Sequence, residues 1–303
     1  MIARYPIEKS PLYRAGPNKL ASLLGFKSGK ALKAFVGDCE KSYACFQHDG
    51  RGIEHPLRKL QVAHKRLSTL LVRIEVPDYL QSGVKGRSYI GNARRHAHNA
   101  GKRAFTMDIQ KFFQSASYKY VWKCFAKQFE LDLDVASILT RLVVIRGHIP
   151  TGSSVSTILS FYAYRVMFDR INDCCESGGV TFSCYVDDIT CSGDGATRRL
   201  AGEVKRIVRS YGLTPHPSKT KYYQPSAPKM ITGAAVTKKG LRLPNKRRKA
   251  IHEDFKSLLG REVSENVEVM KNRLRGRLGE ASLFEDRFKK PLKSPVLRQG
   301  SSQ

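Results

Sequence analysis

Residues 180–192 constrain the fold more than any other stretch of this sequence. Apolar and polar residues alternate over 180–187, which is the two-residue period of a half-buried strand, and strand-forming residues resume at 189–191. The pattern predicts a β-hairpin with residues 186–188 at its tip. That tip carries two adjacent aspartates.

The rest of the chain is predicted to combine helices with short strands, so the expected fold class is α+β. The first 80 residues have a helical pattern, with apolar residues recurring near a 3.6-residue period over 57–71. Segment 84–103 has six Lys or Arg, two His and no acidic residue, and it is expected to be rich in loops. Short strands are expected at 104–109 and 231–236, and further helices at 118–129, 155–171 and 197–211.

The charge of the chain points to a polyanionic partner. Lys and Arg number 54 against 26 Asp and Glu, which gives a formal net charge of +28 at pH 7. Such a field favours nucleic acid, although a basic membrane-surface or ribosome-like protein is the alternative. Seven of the twelve residues in 238–249 are basic and none is acidic, so this run is predicted to follow a phosphate backbone rather than form a merely solvated face.

Several classes of protein are not expected. No run of 18 apolar residues predicts a transmembrane helix, and the first six residues lack the apolar core of a signal peptide. The seven cysteines include no C-x-x-C pair, so structural zinc and a disulfide framework are not expected. We expect a cytoplasmic protein with reduced thiols.

The scarce acidic residues suggest a site for metal ions. Asp108 lies near the end of one predicted strand, and Asp187 and Asp188 lie at the hairpin tip. Three converging carboxylates suit Mg²⁺, which prefers oxygen ligands and shares them with substrate phosphates. Two such ions about 4 Å apart could activate a 3′-hydroxyl and stabilise a leaving pyrophosphate. The alternative is that Asp-Asp is an ordinary turn dipeptide.

Five stretches together resemble the motifs of reverse transcriptases. Residues 105–113 (FTMDIQKFF) resemble motif A, and residues 185–188 (YVDD) resemble motif C. Further similarity lies in 149–153 (IPTGS) with Ser156 for motif B, in 212–220 for motif D, and in 51–61 for the fingers motifs that precede motif A.

Three more stretches resemble one branch, the bacterial retron reverse transcriptases. Residues 10–21 are similar to the N-terminal helix of that branch, 92–96 (NARRH) fit its N-A-x-x-H motif, and 231–233 (ITG) resemble its V-T-G motif. The resemblance covers roughly residues 10–290. It implies a right-hand polymerase fold, whose palm is an antiparallel sheet with helices. The implied divisions are fingers at 1–104 and 119–150, the catalytic palm at 105–118 and 151–237, and a small helical, RNA-binding thumb with a short C-terminal tail at 238–303.

The resemblance also implies roles at the catalytic centre. Asp108 and Asp187 would bridge two Mg²⁺ ions, and Asp188 would be the supporting carboxylate. Lys219 would donate a proton to the pyrophosphate, with Lys221 or a solvated loop as alternatives. Arg51 would bind the incoming triphosphate unless it is a solvated surface residue.

Other residues would handle the nucleotide. Phe113 occupies the position of an aromatic gate that excludes a 2′-hydroxyl, and Phe112 is expected in the core. Thr151-Gly152 departs from the more widespread Gln-Gly of motif B. Gly152 would allow the backbone to approach the nucleotide, whereas Thr151 either contacts the nucleotide or caps a helix.

Two basic segments would contact RNA. Metal binding by His96 and His98 lacks a third ligand and is not favoured. The candidate RNA-binding residues are Asn92, Arg94, Arg95, His96, Lys246, Arg247, Arg248 and Lys249.

The implied activity is RNA-templated synthesis of single-stranded DNA from deoxynucleoside triphosphates. The retron branch further implies a dedicated structured noncoding RNA, priming from an RNA 2′-hydroxyl, and antiphage defence with an accessory effector protein. Template removal would need a host RNase H, because no residues remain for such a domain. The alternatives are another bacterial reverse transcriptase (group II intron-like, diversity-generating or abortive-infection type) or a non-catalytic basic RNA-binding scaffold.

Overall fold

A four-stranded antiparallel sheet lies at the centre of the computed structural model, which describes residues 4–259, 267–292 and 297. The strand order is β4-β5-β3-β6, so the predicted hairpin joins the strand that carries Asp108. The predicted C-terminal tail lies almost entirely outside the described residues. The four strands are β3 (Ala104–Asp108), β4 (Thr181–Tyr185), β5 (Asp188–Ser192) and β6 (Lys221–Tyr223).

Helices and one hairpin precede and flank this sheet. The long helix α8 is buried along much of its length and packs on β4, as its apolar residues predict. The elements are α1 (Pro17–Leu24), α2 (Gly29–Gly37), β1 (Tyr43–His48), β2 (Arg51–Pro56), α3 (Arg58–Leu71), α4 (Tyr89–Arg95), α5 (Phe112–Ser115), α6 (Tyr118–Lys123), α7 (Leu133–Val143), α8 (Ser156–Glu176) and α9 (Arg198–Ser210).

A second sheet and a helical unit follow. The strands β7, β8 and β9 pair antiparallel in that order. The elements are β7 (Lys229–Ile231), β8 (Ala234–Thr237), β9 (Gly240–Arg242), α10 (Asn245–Leu259), α11 (Val267–Ser282) and α12 (Lys289–Leu292). Mixed helices and antiparallel sheets confirm the α+β class. None of the helices described is long and apolar enough to span a membrane.

The hydrophobic cores separate the C-terminal helices from the rest. One continuous core contains residues from Leu12 to Leu213, on both sides of the predicted divisions at 104, 118 and 150. A smaller core joins Leu243 and Ile251 to helix α11. The subdivision into fingers, palm and thumb stays a prediction. Because one core crosses the divisions at 104, 118 and 150, the packing does not mark where fingers end and palm begins.

Two local predictions are wrong and a third is incomplete. The β1–β2 hairpin lies in a stretch predicted to be helical, because its strands are mostly exposed and lack apolar alternation. Segment 84–103, expected to be rich in loops, also contains helix α4, which Ser88 caps by accepting a hydrogen bond from the Gly91 amide. The single strand expected at 231–236 is instead a hairpin that turns at Thr232 and Gly233, both with positive φ.

Candidate active site

The three predicted aspartates meet at one end of the central sheet. Asp108 ends β3 and lies opposite Asp188, the first residue of β5. A two-residue loop of Val186 and Asp187 joins β4 to β5, so Asp188 belongs to the strand rather than to the tip. The register therefore brings together three carboxylates that are far apart in the sequence.

Backbone contacts hold this loop in a strained conformation. Val186 has φ 58°, which a β-branched residue rarely adopts. Its amide donates a hydrogen bond to Ser82 Oγ at 2.8 Å, and the Ile109 amide donates to the Asp187 carbonyl at 3.1 Å. Strain of this kind persists where the surroundings over-determine the backbone, as they do at functional sites.

Burial and mutual repulsion make the carboxylates hard to ionise. Burial, and then the charges of Asp187 and Asp108, raise the pKa of Asp188 to about 6. Burial and then Asp108 also raise the pKa of Asp187, while the charges of Lys219 and Arg51 oppose that rise. Such a cluster is stabilised by added positive charge.

Lys219 supplies one such charge. Its Nζ lies 2.9 Å from Asp108 Oδ2, and the loop that carries it is fixed because the His216 amide donates to the Asp108 carbonyl at 2.7 Å. The Lys219 side chain is 55% exposed, whereas that of Asp108 is 15% exposed. The predicted motif D lysine is therefore at the carboxylates and accessible to a substrate.

The site fits a divalent cation in chemistry but does not enclose one by itself. Asp187 and Asp188 offer oxygen ligands whose repulsion a cation would relieve. Among the residues described, no three His, Cys, Asp or Glu side chains are grouped closely enough to hold a metal ion. The remaining ligands would have to come from water and substrate phosphates, which is the usual arrangement for Mg²⁺.

A cavity of about 300 Å³ opens beside these carboxylates. It reaches from the end of β3 to the turn between β7 and β8. Its charged and turn residues are Asp108, Asp188, Lys219, Lys221, Thr232 and Gly233.

The β1–β2 hairpin carries Arg51 toward the same site and is held there by Glu54. Arg51 is exposed, and its charge acts on Asp187. The Glu54 carboxylate accepts a hydrogen bond from His148 Nε2 at 3.0 Å, and its backbone carbonyl accepts one from the Gly152 amide at 3.2 Å. We call this contact between Glu54 and residues 148–152 the hairpin clasp. The sequence reasoning missed it, since Glu54 and His148 are 94 positions apart.

Thr151 and Gly152 form part of the hairpin clasp. The Thr151 hydroxyl donates to the Gly52 carbonyl at 2.7 Å, and the residue does not cap α8, whose N-cap is Val155. A Cβ on Gly152 would lie 2.9 Å from the Glu54 carbonyl oxygen. Gly152 therefore allows a close approach to β2, and its predicted approach to the nucleotide is a separate contact. Direct nucleotide contact by either residue stays a prediction.

The two phenylalanines of α5 differ as predicted. Phe112 is buried in the core. Phe113 is half-buried and packs against that core, five residues after Asp108. Its role as a gate stays a prediction.

His96 and Asn92 are inside the protein, which contradicts their predicted contact with RNA. Both side chains are 0% exposed. His96 hydrogen-bonds with Ser183 Oγ on β4 at 2.8 Å and with Ser192 Oγ on β5 at 2.7 Å, and burial lowers its pKa to about 3. Asn92 donates to Thr232 Oγ1 at 3.3 Å. The two retron-like motifs therefore contact each other, and His96 braces the hairpin that carries the aspartates.

Several of the basic side chains predicted to contact RNA are held by other residues of the chain. Arg94 is exposed, whereas Arg95 is half-buried and donates to the Phe182 carbonyl. In α10, Arg247 pairs with Glu280 at 2.6 Å and Arg248 pairs with Glu285 at 2.7 Å. The remaining two, Lys246 and Lys249, are exposed, with Lys249 at 3.7 Å from Glu253.

Comparisons with known proteins point to one family. A family model described as "Reverse transcriptase (RNA-dependent DNA polymerase)" matches residues 42–249. The chain is 29% identical to the retron Se72 reverse transcriptase of Salmonella heidelberg (strain 579083-10) over 225 residues, which cover 68% of this chain and 57% of that protein. It is 21% identical to the retron Ec86 reverse transcriptase of Escherichia coli over 234 residues, covering 74% and 72%.

A third relative is the retron Mx65 reverse transcriptase of Myxococcus xanthus, 26% identical over 257 residues that cover 77% of this chain and 58% of that protein. The chain thus spans less than two thirds of the length of two of these relatives. The matches confirm the resemblance to the bacterial retron type. Because the family match covers more than half of the sequence, the chain belongs to the reverse transcriptase (RNA-dependent DNA polymerase) family.

Proposed function

We propose that this chain is an RNA-directed DNA polymerase of the retron type, which transfers deoxynucleotides to a growing DNA strand. One observation carries the proposal. The β3–β5 register places Asp108 opposite Asp188, beside Asp187 and within reach of the Lys219 ammonium. Family membership supports the activity, and the retron relatives support the subtype.

The site residues divide the chemistry among them. Asp108 and Asp187 present carboxylate oxygens at the end of the sheet, and Asp188 stands beside them as the supporting carboxylate. Reverse transcriptases generally use divalent metal ions; two Mg²⁺ held by these residues would activate the 3′-hydroxyl and stabilise the pyrophosphate charge. Lys219 donates a proton to the leaving pyrophosphate, and Arg51 binds the triphosphate, because a guanidinium forks onto phosphate oxygens.

The remaining proposals follow the retron relatives. The template is a dedicated structured noncoding RNA, primed from one of its 2′-hydroxyls, and the product is single-stranded DNA. We also propose a cytoplasmic role in antiphage defence with an accessory effector protein, and template removal by a host RNase H. Residues 1–104 and 119–150 act as fingers, 105–118 and 151–237 as palm, and 238–303 as an RNA-binding thumb. Of the predicted RNA contacts, Lys246 and Lys249 in the thumb and Arg94 in the fingers are exposed.

Neutralising the carboxylates tests the activity while leaving RNA binding intact. The double variant Asp187→Asn, Asp188→Asn should incorporate no labelled deoxynucleotide into the nucleic acid that co-purifies with it. If the chain were a non-catalytic scaffold, neither the double variant nor the unmodified chain would incorporate nucleotide above background.

The hairpin clasp should position Arg51 for the triphosphate. Glu54→Ala removes the partner of His148, and a lost hydrogen bond to a charged group corresponds to about 1.5–3 kcal/mol. We expect a roughly tenfold rise in the KM for deoxynucleotides with a smaller change in kcat. Steady-state incorporation kinetics measure both constants, and Glu75→Ala, at an exposed glutamate, is the control. A fall in kcat alone, at unchanged KM, would refute this positioning role.

The proposed gate predicts a change in sugar selectivity. Phe113→Val should raise ribonucleotide incorporation relative to deoxynucleotides by roughly 10–100-fold, because a shortened side chain leaves room for the 2′-hydroxyl. Competition between the two nucleotides in one reaction measures the ratio. Phe112→Val is the matched control: it should lower stability by about 1–3 kcal/mol and leave the ratio unchanged. Equal ratios in both variants would remove Phe113 from the gate.

A further inference from the structure

A second cavity lies between the β7–β9 sheet and the C-terminal helices. Its volume is about 500 Å³, which is in the range of small-ligand sites. It shares no lining residue with the cavity beside the catalytic carboxylates. It is therefore a separate candidate binding site, and we call it the thumb-side cavity.

The thumb-side cavity has an excess of positive charge. Five cationic side chains line it against one carboxylate. Two lysines come from the turn between β8 and β9, and the arginines come from β9, α10 and the segment after α11. The charged lining consists of Lys238, Lys239, Arg242, Arg248, Arg287 and Glu285.

The carboxylate is already saturated by its neighbours. Glu285 is 6% exposed and is shared by three guanidinium groups, those of Arg242 at 3.0 Å, Arg248 at 2.7 Å and Arg287 at 3.0 Å. The Leu243 amide also donates to it at 3.1 Å. One negative charge thus pairs with three positive charges, and each guanidinium group has further N–H donors that do not bind Glu285.

One of those donors is buried without a partner. Arg248 Nε has no hydrogen-bond partner within the described part of the chain, although Arg248 Nη2 binds Glu285. A buried donor without a partner destabilises the folded protein, so it calls for an acceptor. Arg248 lines the cavity, so an acceptor bound there would meet its guanidinium group.

A buried ammonium group next to the cavity adds to the excess of positive charge there. Lys229 is 0% exposed, and its Nζ donates to the carbonyls of Ala100 at 2.6 Å and Ala227 at 3.2 Å. Both alanines line the cavity. Carbonyl groups solvate this charge but do not neutralise it, and an uncompensated buried charge is destabilising. An anion in the cavity would compensate it.

We propose that the thumb-side cavity binds a phosphate group. Several guanidinium and ammonium groups around one space match phosphate in charge and in hydrogen-bond geometry. The cavity has room for more than a single phosphate, so two sources are considered: a phosphate of a nucleic-acid strand and that of a free nucleotide. The assignment does not depend on catalysis, and where the phosphate comes from a strand it deepens the proposed function.

Charge reversal at the cavity rim tests this assignment. The double variant Lys238→Glu, Lys239→Glu changes two exposed residues, and Lys30→Glu, Lys33→Glu makes the same charge change on exposed α2 residues far along the chain. Binding of inorganic phosphate, without divalent metal, is followed by calorimetry. We expect at least a tenfold loss of affinity in the cavity variant and less than a threefold loss in the control.

A second measurement identifies the source of the phosphate. Binding of a 12-nucleotide single-stranded RNA is measured against salt, where each lost phosphate contact lowers the log–log slope by roughly 0.7 for a single strand. A shallower slope in the cavity variant alone indicates a strand phosphate; an unchanged slope with lost phosphate binding indicates a free nucleotide. Equal affinities and slopes in the cavity variant and its control would overturn the proposal.

One variant separates the test of the phosphate site from the test of the proposed polymerase activity. The Asp187→Asn, Asp188→Asn variant should keep its affinity for inorganic phosphate while losing DNA synthesis. Loss of phosphate binding in that variant would mean that the measured site depends on the catalytic end of the central sheet, which would overturn the thumb-side assignment.

Discussion

Asp187→Asn should reduce DNA synthesis by at least about 10³-fold, which corresponds to about 4 kcal/mol of transition-state stabilisation. The change removes one negative oxygen from the site where a metal ion and phosphates must be held. The backbone contact of this loop is kept, since the Ile109 amide binds the Asp187 carbonyl rather than its side chain. Incorporation of labelled deoxynucleotides on co-purified RNA measures the rate.

The same substitution should not destabilise the fold. Burial and the neighbouring carboxylates raise the pKa of Asp187, so its charged form is disfavoured in the folded protein. Removing that charge should leave the melting temperature unchanged or raise it at neutral pH. RNA affinity should also be kept. Asp194→Asn is the matched control, because Asp194 is exposed on the loop after β5 and should keep full activity. Full activity in Asp187→Asn would exclude this carboxylate from the reaction.

His96→Leu should have the largest effect on stability. The substitution removes hydrogen bonds to Ser183 and Ser192 and leaves both buried hydroxyls without that partner. We expect a loss of about 2–4 kcal/mol in the free energy of unfolding at pH 7.5. Chemical denaturation measures it, and His98→Gln, at an exposed histidine of the same segment, should change it by less than about 0.5 kcal/mol.

The penalty for His96→Leu should shrink as the pH falls. Burial lowers the pKa of His96 to about 3, so the folded protein keeps this ring neutral while the unfolded chain protonates it near pH 6.5. The unfolded state therefore binds more protons below pH 6.5, and the histidine destabilises the fold there. At pH 5 this proton uptake lowers the free energy of unfolding of the unmodified protein by about 2 kcal/mol. The leucine variant has no histidine at this position, so it does not lose that stability. A penalty that stays constant from pH 7.5 to pH 5 would mean that His96 is protonated in the folded state.

The convergence of the three aspartates could be predicted from the sequence because local patterns encode it. The alternation before Asp187 and the strand before Asp108 define two strands, and a hairpin joining a sheet brings their ends together. The predicted tip of the hairpin was 186–188, whereas the observed loop is one residue shorter and Asp188 lies inside β5. The loop is shorter because Val186 adopts a positive φ, which the composition does not reveal.

Long-range contacts explain what the sequence did not predict. Glu54 and His148 meet only because the β1–β2 hairpin folds onto the turn before α8. Basic composition alone predicted Arg247 as an RNA contact, but Glu280, 33 positions away, holds its side chain. His96 looks like a solvated residue of a basic segment, yet packing against β4 and β5 buries it.

The most direct test of the central claim is made in cells. The gene with its flanking DNA is expressed in a bacterium, and the extracted nucleic acid is digested with RNase and separated on a denaturing gel. The proposed function predicts a discrete short DNA band with the unmodified gene and none with the Asp187→Asn, Asp188→Asn variant. The same band in both samples, or no band in either while RNA still co-purifies with the protein, would contradict it.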